Sequence, residues 1–175
     1  MRIVCISLLL LASLAHAEAL RIRGTEIKDG RTFKSVATGV AIGKHRVLTA
    51  GHMADGAYLE IEINREWVEA KVVKLSTDPD LALLSVDVKI DKTYKLVDSM
   101  KLKVYASDEG NDIRNWKTVS SKILIVKSAV NGNSGAPVFN EDGKIVGIIK
   151  GYVAGRDLTM IESADSIRDF LKDTE

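Results

Sequence analysis

One cysteine, three histidines and few aromatic residues are spread over this 175-residue sequence. The cysteine, Cys5, and one histidine, His16, both lie in the first seventeen residues. The rest therefore offers no thiol for a disulfide, and its stability must come from an ordinary core. Two histidines without cysteine leave few ligands for a transition metal, so no metal site and no cofactor is expected. Charge bias is also lacking: 25 Lys and Arg face 24 Asp and Glu. With no basic stripe and no aromatic–basic interleaving, nucleic acid is not an expected partner. No apolar run long enough for a membrane span follows the N-terminus, and neither internal repeats nor low-complexity stretches occur.

What is present begins with "MRIVCISLLLLASLAHA". Arg2, an apolar run through Leu14 and the Ala15-His16-Ala17 exit read as a signal peptide over residues 1–17. The run is too short to cross a bilayer. Cys5 does not sit at the cut, so no lipid anchor is indicated. The mature chain, starting at Glu18, is expected to be secreted or periplasmic, as one domain over residues 18–175.

Strands dominate the pattern. "VATGVAIG", "RVLTAG", "AYLEIEI", "WVEAKVVKL" and "LALLSV" form a first set; "KLKVYAS", "WKTVSSKILIV", "APVFN" and "KIVGIIKGYV" form a second. "YLEIEI" alternates apolar and charged residues with period two, which marks a half-buried strand. "NREW", "GKHR" and "EDGK" read as hairpin turns. A polar stretch from Asp87 to Ser99 separates the sets, and "SADSIRDFLK" reads as a closing helix capped by Ser163. Many short strands with one terminal helix predict an all-β domain in two lobes, of barrel or sandwich type.

Three residues stand out within that frame. His52 ends "RVLTAGH", where small Ala50 and Gly51 would let another loop approach. His45, in the charged turn "GKHR", reads as solvated. Asp80 stands directly before "LALL", and a carboxylate there needs a donor such as an imidazole N–H. Ser134 lies in "NGNSGAPVF" between Gly132 and Gly135, residues that allow a tight backbone turn. Each signal alone has an ordinary structural explanation: a satisfied histidine, a turn acid, a turn serine.

In the order His, Asp, Ser, the three motifs resemble the chymotrypsin-like serine proteases, above all their disulfide-free HtrA-type and glutamyl-endopeptidase-type branches. The resemblance covers nearly the whole chain after the signal. It implies two packed six-stranded antiparallel β-barrels with a short C-terminal helix. The barrels would span about 32–88 and 100–162, and the helix 163–172. It implies a serine endopeptidase acting on proteins or peptides, with His52 as base, Asp80 orienting it and Ser134 as nucleophile. The N–H groups of Gly132 and Ser134 would form the oxyanion hole. Ser128, Lys150, Gly151 and Tyr152 would contribute to the specificity pocket. With Ser128 where trypsin-like enzymes place an acid, uncharged side chains are expected before the scissile bond, and acidic ones if Lys150 turns inward.

The pattern departs from the wider family in two places. Asn133 replaces the aspartate of the digestive enzymes, so no zymogen ion pair is expected. With Glu175 following the helix, regulation by an attached peptide-binding domain of the kind HtrA-type enzymes carry is not expected, and no oligomeric state is fixed. A catalytically inactive protease-like binding module is the rival reading. An α/β-hydrolase is set aside, because Ala136 breaks its G-x-S-x-G motif and its residue order differs.

Overall fold

A computed structural model describes residues 19–97, 104–108, 112–120, 123–125, 131–140, 142–153 and 158–174. The expected signal peptide and Ser128 lie outside them. The first lobe contains β1 (Leu20–Lys28), β2 (Arg31–Gly43), β3 (Arg46–Thr49), β4 (Tyr58–Ile63), β5 (Glu66–Thr77) and β6 (Asp80–Val86). They close into a six-stranded antiparallel barrel in the order β1-β2-β3-β6-β5-β4. On β4 the alternation holds: Leu59, Ile61 and Ile63 are buried, while Glu60 and Glu62 face outward beside exposed Tyr58. Asn64 and Arg65 then turn the chain into β5, both with positive φ (53° and 70°), as a two-residue hairpin of matching twist requires.

β1 was not among the expected strands, and it moves the start of the first lobe from about residue 32 to Leu20. Its Ile22 and Gly24 point inward while Arg21 and Arg23 point out. Paired along β2 from Leu20↔Gly39 to Lys28↔Arg31, it also closes the barrel against β4.

The second lobe contains β7 (Val104–Asp108), β8 (Asp112–Ser120), β9 (Ile123–Ile125), β10 (Pro137–Asn140), β11 (Ile145–Val153) and β12 (Leu158–Ser163), followed by α1 (Ala164–Leu171). These strands form a second antiparallel sheet in which β10 pairs with both β11 and β7. Ser163 caps α1 by accepting the Ser166 N–H.

β6 explains how the lobes join, since Leu81 through Leu84 are all fully buried. Ala82, Leu84 and Val86 fill the barrel with Ile22, Val47 and Ile61. Leu81 and Leu83 face the other way, into a cluster with Val40, Leu48, Phe139, Ile145, Ile148, Ile167 and Phe170. Burying each such aliphatic side chain contributes about 1.5–3 kcal/mol, so this shared seam holds the two lobes and the helix as one body. The expected polar connector crosses it: Tyr94 N–H donates to Ala41 O and Val97 N–H to Ile145 O, both at 2.9 Å. No helix among the described residues is long and apolar enough to cross a membrane.

Candidate active site

β3 ends at Thr49, and the one-turn 3-10 helix Gly51–Met53 presents His52 at the rim of the first barrel. Asp80 opens β6 directly beneath it. One oxygen of its carboxylate accepts the His52 backbone N–H at 2.8 Å, and the other lies 2.7 Å from His52 Nδ1. Both oxygens are thus engaged by a single residue, which fixes the carboxylate plane. With the Nδ1 proton donated to Asp80, His52 Nε2 is left as an acceptor. The pair is half open to solvent, the His52 side chain 45% exposed and that of Asp80 18%.

Gly51 makes this approach possible. A Cβ there would lie 2.4 Å from Ser76 O and 3.0 Å from Asp80 Oδ1. The space left by small residues before His52 is therefore filled by the hairpin that carries Asp80.

Ser134 comes from the second lobe, in the turn before β10, and is fastened to the first. Its carbonyl accepts the Thr38 N–H at 2.9 Å, and Thr38 Oγ1 donates to Gly132 O at 2.8 Å. Thr49 Oγ1 in turn donates to Thr38 O at 2.7 Å. Gly135 has φ +84°, and a Cβ there would meet Thr38 O at 2.0 Å and Ala50 N at 3.0 Å. The serine loop thus wedges between Thr38 in the middle of β2 and the end of β3, where Ala50 stands two residues from His52. Gly135 N–H also donates to Ile149 O at 2.7 Å, tying the loop to β11. Among the described residues no hydrogen bond joins Ser134 to His52, and none is donated by the N–H of Gly132 or Ser134.

A cleft opens beside Ser134, lined by Val36, Met53, Gly132, Ile149, Gly151 and Tyr152 among others. Gly151 and Tyr152, two of the residues expected in the specificity pocket, line this cleft. Lys150, the third of them described, lines a neighbouring depression with His52, Asp80, Leu75 and Met160. Strand alternation accounts for this: Ile149 and Gly151 face the cleft, and Lys150 between them faces the other side of β11. The Lys150 Nζ donates to Glu162 Oε1 at 2.9 Å. Glu162, a residue the sequence reading passed over, is almost wholly buried and also accepts the Asp80 N–H at 3.2 Å. A lone acid in the apolar strand "LTMIES" was its signal.

Residues 37–148, well over half of the chain, match the trypsin-like peptidase domain family. The chain belongs to that family. Its relatives include proteins named probable periplasmic serine endoprotease DegP-like. One from Pseudomonas putida is 34% identical over 140 residues, covering 67% of this chain and 29% of its own. Another, from a Marinomonas species, is 34% identical over 124 residues, covering 58% and 26%. The chain thus spans under a third of these relatives' length. Among solved structures, the active form of the Rv3671c protease from M. tuberculosis superposes with a TM-score of 0.71 at 15% identity, over 90% of this chain and 81% of that one. The inactive form gives 0.68 at 16%, over 89% and 88%. At such identity the likeness is one of fold. The family is described as a peptidase domain, a class of hydrolase, and the relatives are named as serine endoproteases.

Proposed function

We propose that this chain is a serine endopeptidase that cleaves proteins or peptides outside the cytoplasm, after losing residues 1–17 as a signal peptide. The observation that carries the reading is the doubly held His52–Asp80 pair beside a serine loop locked against Ala50. Ser134 Oγ attacks the substrate carbonyl carbon while His52 Nε2 takes its proton. Asp80 keeps the imidazole in that tautomer and stabilises the imidazolium. Nε2 then hands the proton to the departing amine as the C–N bond breaks, and water releases the acyl group by the same steps in reverse. The Gly132 and Ser134 N–H groups, which have no other partner among the described residues, serve the tetrahedral oxyanion. Losing one such donor typically costs about 3 kcal/mol of barrier. Ser134 and His52 share no hydrogen bond in this geometry, and such nucleophile–base contacts commonly tighten only when substrate binds.

The sheet of β7 to β12 is read as the second six-stranded barrel of the pair. Ser128, also expected in the specificity pocket, lies outside the described residues. That pocket is read as the cleft beside Ser134, with Gly151 and Tyr152 in its wall. Its described walls carry no charge, and Lys150 is occupied by Glu162, so an uncharged side chain before the scissile bond is the better guest. A buried lysine or arginine would lose its water with no carboxylate in return.

A fluorophosphonate probe tests the reading directly. It should label the parent protein, and Ser134→Ala should abolish both the label and casein cleavage while leaving the fold intact. A folded parent that neither takes the label nor cleaves casein would instead be a protease-like binding module.

A further inference from the structure

We infer that Lys150 and Glu162 act as a positioning pair for the His52–Asp80 dyad, joining it to the second lobe; the inference rests on the endopeptidase reading. Asp80 is the first residue of β6, where its own N–H is left at the strand end. That N–H is taken by Glu162 Oε1 at 3.2 Å, from β12 of the other lobe. The Glu162 side chain is 5% exposed, so its charge has little water to lean on. A carboxylate so buried is strongly unfavourable unless a cation and hydrogen bonds meet it. Lys150 supplies both through its 2.9 Å contact, with its own side chain 34% exposed. The same glutamate oxygen therefore holds an ammonium on one side and the Asp80 backbone on the other.

This arrangement has two consequences. Geometrically, the residue that orients His52 is itself anchored across the seam, on the lobe that carries Ser134. Electrically, Glu162 is a second negative charge behind Asp80, and Lys150 cancels it. The charged groups around His52 are Asp55 beyond its own turn, Asp80 on β6, Lys150 on β11 and Glu162 behind on β12; from β5, Leu75 and Thr77 add none. Removing either member of the pair leaves the other uncompensated near the imidazole. The two removals push in opposite directions.

Lys150→Met leaves the Glu162 anion unopposed and should hold the proton on His52 to higher pH. Glu162→Gln leaves the Lys150 cation and should release that proton at lower pH. Each shift should reach at least about half a pH unit, and the double variant should return close to the parent. NMR titration of the His52 ring, assigned by its loss in His52→Ala, reads this without any turnover. In the peptidase assay, the acid limb of kcat/KM should move the same way. Glu162→Ala, which removes the acceptor of the Asp80 N–H as well as the charge, should lower kcat roughly tenfold with KM little changed, because Asp80 loses its anchor rather than substrate its pocket. Lys150→Arg should restore parental behaviour. Titrations unmoved in both single variants, or moved in the same direction, overturn the positioning pair. An unlabelled, inactive parent overturns the endopeptidase reading instead, while the NMR titration still decides this one. If Glu162→Gln does not fold, Lys150→Met alone carries the test, and no upward shift defeats it.

Discussion

At the scale of single residues, Gly51 and Gly135 decide whether the candidate site can assemble. Gly135 combines a positive φ with backbone and hydroxyl oxygens at 2.0 and 2.2 Å from where a Cβ would sit. Gly30 also has a positive φ, +71°, but nothing lies within 4 Å. Comparing the two separates backbone strain from close approach. Gly30→Ala should cost about 1 kcal/mol, the ordinary penalty of the left-handed conformation. Gly135→Ala must also displace mid-β2 at Thr38 and the end of β3 at Thr49, and should cost at least about 3 kcal/mol. Urea unfolding midpoints would show it, and equal losses for the two variants would mean that the wedge is not tight. The sequence made part of this legible. Small residues before His52 announced that something comes close, and an acid before "LALL" announced that it wants a donor. Lys150 and Glu162 were not legible, because their meeting depends on the register of β11 against β12, which neither composition nor period specifies.

Among the elements, β4 and β1 show where pattern reading succeeds and where it stops. "YLEIEI" announces its inner face because its charges alternate strictly. "LRIRGTEIK" alternates too, but a glycine stands at an inward position and charged residues make up four of its nine. The outward side chains become intelligible only once the neighbouring strands are in register. Arg23 sits opposite Glu60, with Arg23 Nε 2.6 Å from Glu60 Oε2 and its guanidinium 4.3 Å over the Trp67 ring. Arg21 reaches Glu62 at 3.1 Å. The hydrogen bond from Arg23 holds the Glu60 carboxyl below the usual carboxylate range, and the same bond raises the Arg23 guanidinium. A lowered carboxyl contributes stability that is full above its unfolded pKa and is lost as pH falls through the folded one. Glu60→Gln should therefore melt below the parent by a constant margin from neutral pH down to the ordinary carboxylate range, and the margin should close on further acidification, as the lowered Glu60 carboxyl takes up its proton. Parallel melting curves across that range would check it. A margin that widens on acidification would contradict the cross-strand pair.

For the whole molecule, what matters is that His52 and Asp80 belong to one lobe and Ser134 to the other. Nothing in a list of strands says how two lobes will meet, although "LALL" hinted at it, since four buried residues in a row must face two cores. The meeting surface is the cluster around Leu81, Leu83, Phe139 and Ile148, and α1 seals it with Ile167 and Phe170. Removing a side chain there creates a void that the neighbours only partly fill, so Ile167→Ala should cost about 2–5 kcal/mol. The site should feel this loss sooner than the fold does. A seam loosened by a fraction of an ångström keeps every strand pairing but disturbs the approach of Ser134 to His52, and small misplacements cost catalysis heavily. Measured against temperature, peptidase activity of Ile167→Ala should fall well before its circular dichroism changes, whereas in the parent the two should fall together. Activity that tracks unfolding in both proteins would mean that the serine loop is held by its own bonds to Thr38 and Ile149, and that the seam contributes stability alone.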